Sequence, residues 1–164
     1  MKKYHIRRVR PGDNKDLATI IRGVFEEHDA PREGTVYSDE TTDYLYEYFQ
    51  VPNAALFVGE VDGEVVGCGG VYPTKGLPEG CLEFVKFYIR SAARGIGLGK
   101  AILTASLKFA TDEGFSQVYI ESIPHYRKAI AMYEKVGFRS LTSPLGESGH
   151  PTCDIWMLWE AETR

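Results

Sequence analysis

The sequence holds no run of roughly eighteen apolar residues, and its start lacks the apolar stretch of a secretory leader, so neither a membrane span nor export is expected. A cytoplasmic protein with no membrane partner is the expectation. Cysteine is scarce: Cys68, Cys81 and Cys153 are far apart and odd in number, which suits free thiols in a reducing compartment. Beyond His150 and Cys153 no close Cys/His pair exists, so no metal site is expected. Basic charge is not in excess either. A net charge of -4 argues against nucleic acid as a partner, and Lys2, Lys3, Arg7, Arg8 and Arg10 fit the solvated flank of an edge strand. Repeats, low-complexity tracts and dividing linkers are absent as well. The 164 residues, 43% hydrophobic, therefore predict a single domain spanning 1–164.

What is present reads as alternating short elements. Ile6 and Val9 lie in an extended stretch ending at Pro11-Gly12; Asp13 is placed to cap a helix carrying Leu17, Ile20, Ile21, Val24 and Phe25 at helical spacing. A charged Pro/Gly loop, His28 to Asp39, precedes a second predicted helix, Glu40 to Phe49. Ala54 to Val61 and Glu64 to Val71 read as strands joined by Asp62-Gly63, a hairpin signal because the tight turn demands positive φ. After a loop, Cys81 to Ile89 is a central strand. Leu98, Ile102, Ala105 and Phe109 predict the buried stripe of a helix ending near Asp112 and Gly114. Val118 to Ile120 is a short strand, and Tyr126, Ala129, Ile130 and Tyr133 mark a helix stopped by Gly137. Phe138 to Leu141 and Ile155 to Trp159 close the chain as antiparallel strands around the loop Thr142 to Asp154.

The segment Arg94-Gly95-Ile96-Gly97-Leu98-Gly99-Lys100 sits between a strand and a helix start. Glycines at alternate positions remove the β-carbons that would hold a phosphate away, and the helix adds its positive end, with Arg94 and Lys100 as charges at the rim. A diphosphate fits such a cradle; a tight turn needing glycine for packing is the competing reading. Two nucleotide motifs fail. A Walker loop needs glycine and Ser/Thr where Arg94 and Ala101 stand, and the dinucleotide fingerprint needs glycine where Ile102 stands.

With its strand and helix context, this loop resembles that of the GCN5-related N-acetyltransferase (GNAT) family, whose acetyl-coenzyme A loop has the form Arg/Gln-x-x-Gly-x-Gly/Ala, filled here by Arg94, Gly97 and Gly99. The resemblance extends over nearly the whole chain, including the strand Glu83 to Ile89 and the element Ala129 to Phe138. It implies an α+β fold: a twisted mixed sheet, mostly antiparallel and flanked by helices, whose fourth and fifth strands (Cys81 to Ile89 and Gln117 to Glu121) splay to admit the pantetheine arm. It also implies acetyl-CoA as cofactor, pantetheine contacts near Phe87, Tyr88 and Ile89, pyrophosphate contacts to the amides of Gly95, Ile96, Gly97, Leu98, Gly99 and Lys100, and Tyr133 as general acid. Where many members carry a coenzyme-contacting Asn, this chain has Tyr126.

Acyl transfer to an amine needs a base, because an amine with a pKa of about 10.4 is only roughly one part in a thousand neutral at pH 7. Glu83 and His150 are the two candidates, acting directly or through water; for Glu83 the competing role is a salt link to Lys86 or Arg90. Tyr133 competes with a packing role, and Cys153 is a remote option as acetyl carrier. The acceptor pocket is expected from the second helix and the Thr142 to Asp154 loop. Tyr37, Tyr44, Tyr48 and Phe49, near Glu26, Glu27, Asp29 and Asp43, favour a cationic amine, small or peptidic. A homodimer is compatible with the edge elements. Two other classes compete with the enzyme: a non-catalytic CoA-binding regulatory or sensor domain, and an interaction module using exposed aromatics.

Overall fold

A computed structural model describes residues 3–147 and 153–162. Strands β1 (Tyr4–Arg8), β2 (Ala55–Val61), β3 (Glu64–Tyr72), β4 (Cys81–Ile89), β5 (Gln117–Ser122), β6 (Arg139–Ser140) and β7 (Ile155–Glu160) form one sheet in the order β1-β2-β3-β4-β5-β7-β6. Helices α1 (Asn14–Glu27), α2 (Leu45–Tyr48), α3 (Leu98–Asp112) and α4 (Arg127–Val136) complete it. Every neighbouring pair is antiparallel except β4 with β5. Among the described residues no helix is long and apolar enough to cross a membrane.

Local chemistry explains most of these elements. The β2–β3 turn has Asp62 at φ 53° and Gly63 at φ 80°, the paired positive values of a tight hairpin. On α1 the predicted stripe Leu17, Ile20, Ile21, Val24 and Phe25 is buried. Each such side chain removed from water contributes about 1.5–3 kcal/mol before entropy is charged against it. Asp13, expected to cap α1, turns back instead. Its carboxylate accepts from the Arg10 amide at 2.7 Å and from both Arg7 amino groups at 2.8 and 2.9 Å, closing a 3-10 turn over Pro11–Asp13.

The predicted Glu40 to Phe49 helix is not continuous. A 3-10 turn covers Glu40–Asp43, Tyr44 breaks the path at φ -133°, and α2 is a single turn. Side chains compete with the helix here: Asp39 accepts from the amide and hydroxyl of Thr41, and the Thr42 hydroxyl donates to the Val36 carbonyl at 2.6 Å. On α3 the buried stripe is Leu98, Ile102, Leu103, Ser106, Leu107 and Ala110. Ala105 and Phe109 lie only at its margin, with Phe109 under the Arg8 guanidinium at 5.3 Å. The sixth strand is shorter than Phe138 to Leu141: Arg139 and Ser140 pair in register with β7, and Leu141 adds one amide bond to the Trp156 carbonyl at 2.8 Å.

Two irregularities open the sheet at its centre. In β4, Cys68 pairs with Tyr88 and Gly70 with Val85, so Lys86 and Phe87 together oppose Gly69 in a bulge, with Lys86 at φ 59°. In addition β4 pairs with β5 only from Cys81 to Glu83. Beyond Glu83 the two parallel strands part, as the expected splay requires.

Candidate active site

The glycine segment delivers the predicted open backbone, though not through every glycine. Gly95 and Gly97 adopt φ 78° and 91°, values that side-chain-bearing residues rarely tolerate. Gly97 caps α3, and its carbonyl receives the amide of Ala101 at 3.1 Å. Among the described residues the amides from 95 to 100 donate no hydrogen bond, so they remain for an anion at the positive end of a 15-residue helix. Gly99 serves packing: a β-carbon there would lie 3.1 Å from Phe87 Cζ and 3.2 Å from Ile89 Cδ1. Leu98 points into the core against Gly59, and Ile96 packs on the same core cluster, so both can offer the cleft only backbone.

Arg94 is not a free charge at the rim. Its guanidinium grips both oxygens of Glu27 on α1, at 2.5 and 3.0 Å, while Nε donates to the Ile89 carbonyl at 3.0 Å. The Arg94 hydrogen bond holds the Glu27 carboxyl below its ordinary pKa. Arg94 thus clamps the glycine turn to β4 and α1, and Lys100, Arg127 and Lys128 are exposed cations that line the cleft.

From this turn a cleft of about 650 Å³ runs between the parted strands. Phe87, Tyr88 and Ile89 line one wall and Ile120 to Ile123 the other; Tyr126, Met132 and Tyr133 come from α4 and its entry, and Phe25 and His28 from the α1 side. Tyr133 is buried among Phe84, Phe87 and Phe138, with ring centres 5.7–6.2 Å apart. Its hydroxyl forms no hydrogen bond among the described residues, and burial raises its pKa, so it stays protonated. The Tyr126 ring meets Phe25, His28 and Tyr88 edge to face at 5.3–6.1 Å. Its buried hydroxyl has no partner among the described residues, a donor and acceptor left over for a bound molecule.

Glu83 sits where β4 and β5 part, 3% exposed, and accepts a 2.6 Å hydrogen bond from Thr74 Oγ1. No salt link to Lys86 or Arg90 forms among the described residues. Burial pushes the Glu83 carboxyl up to about 7, the Thr74 bond pulls it back, and Glu121 adds repulsion. Glu121 lines the same space and accepts from the Tyr119 hydroxyl at 2.7 Å. Cys153 also reaches the cleft, but burial pushes its thiol up to about 12; it is protonated at neutral pH and poorly suited to carry an acyl group. His150 lies outside the described residues.

The acidic acceptor surface expected from the sequence is spent elsewhere. Asp43 pairs with Arg22 at 2.6 Å, Glu26 accepts from Tyr37 at 3.0 Å, Glu27 holds Arg94, and Tyr44 is 62% exposed. The charged residues that line the cleft are Glu27, Glu83, Lys86, Arg94, Lys100, Glu121, Arg127 and Lys128, and of the carboxylates expected from the sequence as acceptor surface only Glu27 is among them. The sequence reading passed over Thr74, Glu121 and Lys86 as site residues. Lys86 carried a signal: with Glu83 it is one of two charges in an otherwise apolar nine-residue strand. Thr74 and Glu121 carried none, since neither loop hydroxyls nor strand carboxylates are unusual.

The profile of the acetyltransferase (GNAT) family matches residues 21–138. An uncharacterized N-acetyltransferase of Escherichia coli K12, YjgM, is 36% identical over 156 residues, covering 94% of this chain and 93% of that protein. Mouse N-acetyltransferase 8F1 is 31% identical over 102 residues, and there the match covers 61% of this chain but only 46% of the longer relative. Among solved structures, a GNAT-family acetyltransferase of Staphylococcus aureus Mu50 superposes with a TM-score of 0.83 at 14% identity, covering 98% of this chain and all of that one. The Salmonella typhimurium protein yncA, solved with acetyl-CoA, superposes at 0.77 with 17% identity, covering 99% and 96% of the two chains. With the profile spanning most of the sequence and its glycine turn opening onto a parted sheet, the chain belongs to the GNAT family of acetyltransferases.

Proposed function

We propose that this protein transfers an acetyl group from acetyl-CoA to a primary amine by direct attack, with Glu83 as base and Tyr133 as proton donor. The observation that carries the reading is one continuous cleft joining the uncommitted amides at 95–100 to the buried carboxyl of Glu83, with the Tyr133 hydroxyl on its wall. Bound acetyl-CoA supplies an activated thioester. The amides of Gly95 to Lys100 would hold its pyrophosphate, the backbone of Phe87 to Ile89 its pantetheine amides, and the Tyr126 hydroxyl, without a partner among the described residues, would take a polar contact in the place of the usual Asn.

The chain's own residues then account for the proton movements. A protonated amine cannot attack, and a carboxyl titrating at about 7 is matched to remove its proton near neutrality. A strongly acidic glutamate would be a weaker base. Tyr133, kept protonated by burial, can donate to the departing sulfur. The β4 bulge at Lys86 and Phe87 frees backbone from the ladder with β3, which suits an amide near Phe87 to polarise the carbonyl.

A screen of amino acids, polyamines, aminoglycosides and peptide N-termini, followed by thiol release from acetyl-CoA, tests this reading. Turnover with at least one class of amine is the expected result. Tight coenzyme binding with no turnover across the whole screen would favour the sensor domain, and loss of coenzyme binding altogether would favour the interaction module.

A further inference from the structure

Lys86 has more hydrogen-bonding capacity than the described residues around it use. Its side chain is 3% exposed, and an ammonium offers three donors. One donor makes a long contact to Thr41 Oγ1 at 3.4 Å, and the nearest countercharge, Asp39 Oδ2, stands off at 3.7 Å. The remaining wall near it is the Tyr48 ring, whose centre is 5.6 Å from Nζ. Asp39 Oδ1 is already engaged by the amide and hydroxyl of Thr41. The ion pair between Lys86 and Asp39 is longer than a charge-assisted hydrogen bond, and burial lowers the Lys86 pKa although Asp39 pulls it back up.

The backbone at this position makes the choice of lysine more pointed. At φ 59° the bulge would be served at lower cost by glycine or asparagine. A long cationic side chain is therefore there for its head group. Lys86 and Glu83 both line the cleft, three positions apart on one strand, and each lies within the other's electrostatic reach. A molecule carrying an amine and an anion a few bonds apart can present one to each.

We propose that Lys86 is the specificity-determining residue of the acceptor site, and that its ammonium takes the carboxylate of a free amino acid whose amine is delivered to Glu83. The inference rests on the N-acetyltransferase reading above and narrows its acceptor from amines in general to amine-carboxylate zwitterions. Net charge in the cleft is unchanged when such an acceptor enters, so no further charge has to be buried.

Matched pairs test it on the full chain: phenylalanine with 2-phenylethylamine, leucine with 3-methylbutylamine, lysine with cadaverine. Acetylation is followed by thiol release, and binding to the CoA-loaded protein by calorimetry. In at least one pair the amino acid should exceed its decarboxylated partner in kcat/KM by on the order of 10- to 100-fold, the range expected for a buried charge contact. Lys86→Met should collapse that preference, raising KM for the amino acid by on the order of 10-fold or more relative to the plain amine, whose own turnover shifts only as far as Glu83 feels the lost charge. Lys86→Arg should keep part of the preference, and the wild-type comparison stands even if the methionine variant does not fold. Equal or better use of the decarboxylated amines, or an equal loss on both members of a pair in Lys86→Met, overturns the role of Lys86 alone. Absence of acetylation with every amine, despite CoA binding, overturns the acetyltransferase reading beneath it.

Discussion

Replacing Glu83 with glutamine should slow the enzyme and, above neutral pH, stabilise it. The carboxyl is 3% exposed and titrates at about 7 in the folded protein, against an ordinary value of 4.5 that the unfolded chain keeps. Below pH 4.5 both states hold the proton, so the site adds no pH dependence. Between the two values the unfolded chain gives up its proton while the folded one retains it, so stability falls as pH rises, by about 1.4 kcal/mol per unit. Over that window the loss amounts to roughly 3 kcal/mol, and above the folded pKa it is constant. Glutamine cannot ionise, and its carbonyl can still accept the Thr74 hydroxyl, so the variant escapes this penalty. Urea unfolding of both proteins at pH 4.5 and pH 8 measures it: relative to wild type, Glu83→Gln should gain roughly 3 kcal/mol between the two conditions. In parallel, turnover of the wild type should climb to a plateau above pH 7, and the variant should lose on the order of 100-fold in kcat. Identical pH dependence of stability in the two proteins would show that Glu83 ionises normally, and would remove it as a base tuned to neutrality.

Gly97→Val forces a branched side chain into φ 91° and covers the open amides; CoA affinity measured by calorimetry should fall at least about ten-fold, and unchanged affinity would detach the turn from coenzyme binding. Tyr133→Phe keeps the ring among Phe84, Phe87 and Phe138 but deletes the donor; kcat should drop roughly 10- to 100-fold with CoA affinity nearly constant, and undiminished kcat would leave Tyr133 as a packing residue. Cys153→Ala should preserve turnover, because the thiol is protonated below its pKa of about 12; an inactive variant that still binds CoA would reopen the covalent route.

Features specified by neighbouring residues were legible before any coordinates. The Asp62-Gly63 turn, the stripe of α1 and the open glycine turn before α3 each follow from backbone sterics or from a 3.6-residue period, and those act over a few positions. Where a side chain bonded outside the element its position suggested, the periodic reading failed. Asp13 looked like a cap and closed on Arg7; Glu40 to Phe49 looked like a helix and was broken by Asp39 and Thr42; Arg94 looked like a rim charge and was taken by Glu27, 67 positions away. The sequence by itself determined that the chain has an anion-ready turn between a strand and a helix, and that a glutamate and a lysine lie in the strand leading to it. Only the tertiary structure decided what those two groups are. Desolvation depends on every segment that packs around a residue: burial where β4 leaves β5, with Glu121 nearby, makes Glu83 a near-neutral acid against the pull of Thr74, and the loop carrying Asp39 leaves Lys86 a buried cation in one long ion pair.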